Sequence, residues 1–536
     1  MRVKSIVTFL MLCSGGGRVV FGQVGWSHMM PAEADVTGGL GVPDPGLSYG
    51  VSITAVQSSH TWAYDGTTTV CPGDGALYAG GEFHAAPPRA SETVSFPQHI
   101  AAWRPSGWSW LIEAPGTSNE AYLTSFGAMT VHNCSLYVAG DLYRDSTSTY
   151  GLHVWNSATS QWTTALVVTQ GTIRAMCSAG GSIHYGGDMG EDGDAMTYAW
   201  DADPESEPIA HWLGFGYDNC RPKVVSMVNF ESTEPASSVW LSVNGDGNQP
   251  VFPPCFPTEL ARAFYLDGNG DWQGEYIENE PTHYEDYGGL LGVDFTTSTP
   301  TLVFGYQDIF DFDPWDVESV ACPFCDDPPV VLKRRWPDEA QWDPAASNDL
   351  RGVVYALGTA RDAGTGLAFY VGGELFALDP ADPNDNTEFV ESGVFSSVNG
   401  ANWTQPVSMQ TYFSNTWSPG GAVKAIARHA TACSNVEDLV VAGDFRGVMY
   451  DSRADELPEL DPLPALRSSG VALYGNNRAD FNFDGFPDGF DYDDFVECFE
   501  NNNCPPGTSA DFDCDGFADG FDYDTFVAWF EGIDNP

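Results

Sequence analysis

A short motif that recurs seven times over most of this 536-residue chain limits the folds open to it. Each clear copy is a run of apolar and aromatic residues that leads into glycine and then into a carboxylate. Five copies are clear and two are degenerate, and in chain order they cover 77–83, 136–142, 183–189, 240–246, 302–308, 369–375 and 439–445. Runs of this composition predict buried β-strands, and their glycines predict that each strand closes in a tight bend.

Further short apolar runs lie on both sides of the motif, so each unit supplies about four strands. The first and last copies begin 362 residues apart, or about 60 residues per unit, against about 40–50 in compact propeller blades. This array predicts a mainly β fold, a β-propeller over residues 50–475 with about seven blades, six being the alternative count. We expect an N-terminal strand around Val51–Ala55 to close the ring, because closure removes exposed sheet edges. The domain resembles the kelch-like and related secreted propellers.

Two near-identical acidic segments lie 31 residues apart near the C-terminus. In each twelve-residue loop, side chains with oxygen occupy positions 1, 3, 5, 9 and 12, glycine occupies position 6, and position 7 supplies a backbone carbonyl. This is the ligand spacing of a calcium loop. We therefore predict two bound calcium ions, with the ligands Asp480, Asn482, Asp484, Phe486, Asp488 and Asp491 in the first loop and Asp511, Asp513, Asp515, Phe517, Asp519 and Asp522 in the second.

An apolar stripe follows each loop. The stripes have the i, i+3, i+4, i+7 spacing of one helix face, and they consist of Tyr492, Phe495, Val496 and Phe499 after the first loop and Tyr523, Phe526, Val527 and Phe530 after the second. The segments before the loops are rich in Gly, Asn, Pro and Ser, and they predict no entering helix of the kind that an EF-hand has.

A calcium loop with an exiting helix, duplicated over roughly 476–531, resembles the type I dockerin family. The resemblance implies a small α-helical domain over 476–536 that folds around two calcium ions and docks onto a cohesin-like protein or a cell-surface structure. In that family the contact centres on loop positions 10 and 11. Those positions are Gly489–Phe490 and Gly520–Phe521 here, where family members usually carry polar residues. The likeness of the two halves predicts a pseudo-twofold surface.

Two simpler interpretations of the loops stay open. Calcium could act only as a staple, because a segment this small has little core and commonly needs metals or disulfides to fold. The loops could also form an Asp-rich spacer like those of thrombospondin-type repeats, although the aromatic helices argue against it.

Charge and the N-terminus bear on where the protein acts. The 74 acidic and 21 basic residues give a net charge of −53, which disfavours binding to nucleic acid or anionic membranes. Residues 1–22 combine a basic start, a short apolar run and small residues before Gln23, which is the pattern of a secretory signal peptide. No later apolar run approaches the ~18 residues of a membrane span. We predict a secreted, extracellular protein that associates with a cell surface or assembly.

Eleven cysteines follow the predicted signal peptide, and in an exported protein they tend to pair. Cys498 and Cys504 bracket the end of the first predicted exit helix and could close a small loop. Cys322 and Cys325 could form a local bridge or, less favoured, half of a metal site.

No catalytic constellation is recognisable. The chain lacks a His-Glu-x-x-His zinc motif and a Gly-x-Ser-x-Gly nucleophile elbow, and the blade histidines are expected to be packed or exposed rather than ligating. Two function classes stay open. The favoured one is a propeller that binds or scaffolds and is attached by the calcium-binding tail. The alternative is a hydrolase or lyase that acts on polysaccharide.

Overall fold

The computed structural model describes a defined part of the chain, which contains a β-propeller and two helices near the C-terminus. The described residues are 25–28, 52–59, 61–62, 68–69, 76–83, 98–104, 107–115, 120–189, 196–203, 206–213, 223–233, 236–244, 261–276, 290–294, 296, 300–307, 330–338, 342–345, 350–362, 366–378, 389–397, 408–413, 416–419, 422–430, 437–445, 447–449, 466–467, 470–475, 481, 489–501, 503–504, 510–511 and 517–530. The predicted signal peptide, the Cys322–Cys325 pair and seven of the twelve predicted calcium ligands lie outside these residues.

Strands make up nearly all of the regular structure. The first seventeen are β1 (Gly25–His28), β2 (Ser52–Ser58), β3 (Thr61–Trp62), β4 (Thr68–Thr69), β5 (Leu77–Phe83), β6 (Gln98–Arg104), β7 (Gly107–Trp110), β8 (Ala121–Leu123), β9 (Ala128–His132), β10 (Ser135–Arg144), β11 (Thr147–Asn156), β12 (Gln161–Val167), β13 (Thr172–Ala179), β14 (Ser182–Asp188), β15 (Met196–Trp200), β16 (Ile209–Trp212) and β17 (Lys223–Thr233). The remaining elements are β18 (Ala236–Asn244), β19 (Ala261–Leu266), β20 (Trp272–Tyr276), β21 (Leu290–Asp294), β22 (Thr301–Gln307), β23 (Val330–Arg335), β24 (Trp342–Ala345), β25 (Leu350–Asp362), β26 (Gly366–Leu378), β27 (Phe389–Ser397), β28 (Ser408–Phe413), β29 (Thr416–Pro419), β30 (Val423–Ala430), β31 (Glu437–Gly443), β32 (Gly447–Met449), β33 (Leu466–Arg467), β34 (Val471–Gly475), α1 (Gly489–Asn501) and α2 (Gly520–Phe530).

Seven antiparallel sheets form the blades. From the innermost strand outward they are β2-β5-β6-β7, β9-β10-β11-β12 with β8 beside β10, β13-β14-β15-β16, β17-β18-β19-β20, β21-β22-β23-β24, β25-β26-β27, and β30-β31-β34-β1. The innermost strands contact one another from blade to blade around the ring. In every blade, the recurrent sequence motif is the second strand. The seven copies therefore correspond to seven blades, and the count of seven is confirmed.

Two further sheets stand outside the ring of blades. One is a hairpin of β3 and β4, and the other has the order β29-β28-β32-β33. The second sheet is assembled from segments inserted around the last blade.

The ring is closed by β1, which is the outermost strand of blade 7. It pairs antiparallel with β34, from Gly25 opposite Gly475 to His28 opposite Ala472. The prediction that the segment around Val51–Ala55 closes the ring was wrong, because that segment belongs to β2, the innermost strand of blade 1. The apolar side chains of this segment suit an innermost strand of blade 1 as well as a closing strand of blade 7. Which segment closes the ring depends on pairing with β34, which lies far away in the sequence.

In blades 1, 2, 3, 5 and 6 the glycines of the motif lie inside the second strand and do not end it, so the predicted tight bend was wrong there. In blade 7 the second strand, β31, does end at the motif glycine Gly443. In blades 1, 3, 4, 6 and 7 the innermost strand has a register irregularity opposite the motif. In blade 7 this bulge brings a carbonyl against the second strand, and a Cβ built on Gly443 would lie 1.9 Å from Ala422 O. Glycine is required there because the backbones approach closely.

Replacing Gly443 by Ala is therefore expected to destabilise the protein by about 1–3 kcal/mol, the usual cost of overpacking. The Cβ would meet only backbone atoms, Ala422 O, Ala422 C and Lys424 N, which have little freedom to move. Urea unfolding followed by tryptophan fluorescence measures the loss. Gly268→Ala is the matched control, because nothing lies within 4 Å of its added Cβ, and a change below about 0.5 kcal/mol is expected. Equal effects at both sites would contradict the close-approach explanation.

A buried ion pair joins blades 4 and 5. The Arg335 guanidinium on β23 is fully buried, and it donates to both carboxylate oxygens of Glu275 on β20, at 2.7 Å from Nε and 2.9 Å from Nη2. Trp342 Nε1 donates to Glu275 Oε2 at 3.0 Å. The guanidinium carbon also lies 4.8 Å from the centre of a Trp240 ring. The buried guanidinium of Arg335 is thus neutralised by the Glu275 carboxylate and hydrogen-bonded to it, as buried charges require.

Candidate metal centre and binding surface

The C-terminal part contains the two predicted exit helices, α1 and α2. Each begins at the glycine in position 10 of its predicted calcium loop, Gly489 or Gly520. No strand or helix is described between 476 and 488 or between 502 and 519, where the structure describes only a few residues. The aromatic spacing after each loop had predicted both helices.

The two helices pack through equivalent residues. Phe495 and Phe526, 31 positions apart and both fully buried, stack in parallel with ring centres 4.0 Å apart. Phe481 closes this core edge-on, with its ring 5.4 Å from Phe495 and 6.0 Å from Phe526. Contact between equivalent positions is what a pseudo-twofold arrangement produces. Sequence reasoning had not singled out Phe481; the signal was the phenylalanine at the same loop position in the second repeat, Phe512.

A tyrosine pair continues the same contact. The phenol oxygens of Tyr492 and Tyr523 lie 2.5 Å apart and share a hydrogen bond. This hydrogen bond, with burial, raises the pKa of Tyr492 to about 12. The phenol therefore stays protonated, and the contact persists at neutral pH.

The carboxylates at position 12 of the two loops are buried. Asp491 and Asp522 both have 0 % exposure, each in the first turn of its helix. No Lys or Arg follows Arg478, whereas 16 acidic residues do. A buried carboxylate needs a compensating charge or several hydrogen-bond donors. The helix ends supply part of this, because the Asp519 N–H donates to Asp522 Oδ2 at 2.7 Å. The donor set is rich in carboxylates and fits a hard divalent cation.

The structure describes five of the twelve predicted ligands: Asp491, Asp511, Phe517, Asp519 and Asp522. Asp522 is brought close to Asp519, whose Oδ1 also accepts the Phe521 N–H at 2.8 Å. Within the described residues, no three His, Cys, Asp or Glu side chains are grouped to hold a metal. The other seven ligands are Asp480, Asn482, Asp484, Phe486, Asp488, Asp513 and Asp515, and they lie outside the described part of the chain.

Three large apolar side chains of this module face solvent. Phe490 is 70 % exposed, and Phe517 and Phe521 are each 71 % exposed. Phe490 and Phe521 occupy loop position 11 in the two repeats, so they are equivalent residues. Exposed aromatic rings on a small module mark a surface suited to a partner.

A disulfide joins Cys498, near the end of α1, to Cys504. This confirms the pairing suggested by their positions. The second repeat has Trp529 where the first has Cys498, so the bridge is a feature of the first repeat.

In the propeller, Cys177 is a buried free thiol in β13, and burial raises its pKa to about 12.

Among the described blade residues, the buried histidines are His99, His132, His153, His184 and His429. His153 is fully buried, with Nε2 at 3.0 Å from Gly140 O and Nδ1 at 3.2 Å from Thr164 Oγ1. His99 Nδ1 lies 3.0 Å from Gly81 O on the neighbouring strand of the same blade. Burial lowers the pKa of His153 and lowers that of His184 to about 4, with His211 adding to the second effect. These rings serve as neutral partners of blade carbonyls and hydroxyls.

Comparison with known proteins finds similarity only among solved structures. No protein-family model and no curated protein matches the chain. The extracellular domain of the hybrid two-component system BT4673 from B. thetaiotaomicron aligns over 79 % of this chain at 10 % identity and a TM-score of 0.38, and this chain spans 39 % of it. The Dos1 propeller aligns over 79 % of this chain and 94 % of its own, at 11 % identity and a TM-score of 0.35. The computationally designed protein Ika8 aligns over 74 % of this chain and 94 % of its own, at 9 % identity and a TM-score of 0.34.

Neither helix in the described ranges has the length and apolar character needed to cross a bilayer.

Proposed function

We propose that this is an exported protein whose C-terminal repeats bind two calcium ions and attach the propeller to a protein assembly or cell surface. The observation that carries the proposal is the full burial of Asp491 and Asp522 at equivalent loop positions, in a segment with no basic residue after Arg478. The ions would be held by the twelve residues predicted above, and they would supply positive charge that joins each loop to its helix. In this proposal the module is a dockerin-like domain, and the metal both folds it and fixes its binding surface.

The attachment surface in this proposal contains Phe490 and Phe521. The paired helices hold these residues in equivalent places, and each ring is about 70 % exposed. An apolar ring in the position where dockerin-family members usually carry polar residues favours a partner with an apolar pocket. A cohesin-like protein with such a pocket, or another cell-surface protein, fits this chemistry.

Attachment is tested by retention of the purified full chain on cell-surface fractions of its source. We expect retention in calcium and loss in a chelator. We also expect the double variant Phe490→Ser and Phe521→Ser to lose retention by tenfold or more, because buried aromatic anchors dominate interface energy. Ile209→Ser is the matched control, since Ile209 is 64 % exposed but lies in the propeller, outside the calcium module. Retention that ignores both calcium and the double variant would contradict the proposed attachment.

A further inference from the structure

The bulges of the innermost strands expose side chains close to the propeller axis. In β13 the register shifts between Ile173 and Ala175, which leaves Arg174 as the bulged residue. Arg174 is exposed, whereas Ile173 and the residues from 175 to 177 are buried. β13 is the innermost strand of blade 3, so the exposed Arg174 lies on the strand nearest the propeller axis.

Arg174 forms no ion pair with a carboxylate of the described residues. The chain has 74 acidic and 21 basic residues, so an exposed arginine without such a partner stands out. Guanidinium presents a planar fork of donors that matches a carboxylate. The exposed guanidinium of Arg174 is thus suited to bind an anion from solution.

Two polar groups of the adjacent blade lie beside Arg174. The Tyr150 hydroxyl accepts the Ile173 N–H at 2.6 Å, which leaves its own proton to donate. Asp141 lies directly opposite Tyr150 in the pairing of β10 with β11, and the N–H that the phenol accepts belongs to the residue before Arg174. Burial raises the pKa of Tyr150, the hydrogen bond from Ile173 and the charge of Arg174 oppose that rise, and the charge of Asp141 adds to it. Asp141 is held by Ser125, whose Oγ donates to Oδ2 at 2.8 Å and accepts the Asp141 N–H at 2.9 Å. Asp141, Tyr150 and Arg174 are called the Arg174 cluster below.

The same arrangement recurs in blade 7. Lys424 occupies the bulge of β30, and its ammonium lies 2.5 Å from Oδ2 of Asp444, which follows the motif glycine Gly443. There the cation is already neutralised by the carboxylate of its own blade. Blade 3 differs because Asp188, at the equivalent place, makes no ion pair with Arg174.

We propose that the Arg174 cluster binds a saccharide that carries a carboxylate, a uronate. Arg174 pairs with the sugar carboxylate, Asp141 accepts sugar hydroxyls, and the Tyr150 phenol donates to a ring or hydroxyl oxygen. This inference extends the proposed function, in which the propeller is the binding domain presented by the calcium module.

The mixture of charges favours a sugar over an acidic peptide. A uronate has one carboxylate and several hydroxyls, so it can use one cation and a neighbouring carboxylate acceptor together. An acidic peptide would bring several carboxylates toward Asp141, Asp188 and a chain of net charge −53, and like charges at close range repel. One exposed cation beside hydrogen-bond acceptors is thus better suited to a uronate sugar than to an acidic peptide.

The test is calorimetric titration of the full chain, with two equivalents of calcium, using trigalacturonate, triguluronate and trimannuronate. The neutral methyl esters of the same trimers are the comparison ligands. We expect at least one uronate to bind tenfold or more tightly than its methyl ester, because charge-assisted bidentate bonds are the stronger ones. Arg174→Gln should abolish that preference, and Asp141→Asn should weaken acid and ester alike.

Lys333→Gln is the matched control, because Lys333 is a half-buried cation on the third strand of blade 5 and outside the cluster. It should bind like the unchanged protein, and an unchanged melting temperature of Arg174→Gln should show that its fold is intact. Failure of all three uronates to bind, or a preference that survives Arg174→Gln, would overturn the proposal. Tighter binding of hexaglutamate than of any uronate would identify an acidic peptide as the ligand instead. Repeating the titration in a chelator separates the two proposals, since uronate binding by the propeller does not need the calcium module.

Discussion

Chelation of calcium is expected to unfold the C-terminal module and to leave the propeller folded. The module's described core is small, with Phe481, Phe495, Cys498, Ala510 and Phe526 buried. Two fully buried carboxylates, Asp491 and Asp522, are costly to fold unless hydrogen-bond donors and cations compensate them. Metal binding in such a module is coupled to its folding, and a ligand at a hundred times its Kd stabilises the folded state by about 2.7 kcal/mol. Two ions would therefore decide whether the module is folded.

Circular dichroism at 222 nm and calorimetric titration measure this effect. We expect two bound ions, a gain of helix on calcium addition and a separate unfolding transition that disappears in the chelator. Asp480→Ala and Asp511→Ala should each remove one ion. Asp524→Ala is the matched control, because Asp524 is an exposed carboxylate of α2 outside the loop positions. No heat of binding and no change in dichroism would refute the calcium prediction.

Glu275→Ala is expected to destabilise the propeller by about 3–5 kcal/mol, since it removes the carboxylate that neutralises the buried Arg335 charge. Arg335 has 0 % side-chain exposure and Glu275 has 13 %, so water screens the pair little. The substitution also removes the acceptor of Trp342 Nε1. Urea unfolding of the calcium-loaded chain measures the loss as a lower transition midpoint.

The double variant Glu275→Leu with Arg335→Met distinguishes a lost charge pair from lost packing. Replacing both partners by apolar residues of similar volume is often neutral, so this variant should recover most of the stability lost in Glu275→Ala. A double variant as unstable as the single one would show that packing around Trp240, and not the unpaired charge, carries the effect.

The number of motif copies predicts the seven-bladed architecture. It does not predict that a motif glycine such as Gly443 allows two backbones to approach closely. Seven copies of one motif correspond to seven blades because every copy is the second strand of a blade. The bulge opposite Gly443 was not predictable, since it depends on the neighbouring strand and leaves no pattern within the motif itself. The pair of Glu275 and Arg335 was hidden for a similar reason: the residues are 60 positions apart and meet only when blades 4 and 5 pack.

The C-terminal helices were easier to predict, because their apolar spacing is local. The residues after Asp491 and Asp522 repeat the same aromatic stripe, and α1 and α2 each begin two residues before these carboxylates. The stacking of Phe495 on Phe526 follows from the duplication once the two halves face each other. The Arg174 cluster had no such signal, because its members come from three different strands of two blades.

The closing strand has a mechanical consequence. Gly475 is the last residue of β34 and also the point from which the chain runs on toward the C-terminal repeats. If those repeats anchor the protein, any drag on the propeller is transmitted through β34. That strand is flanked by β31 on one side and β1 on the other, so the load is shared by two rows of hydrogen bonds, one of them to the beginning of the chain. Trimming the N-terminus past His28 would remove the row between β1 and β34. Tethered molecules without β1 would then unfold at a smaller pulling force than tethered molecules that keep it.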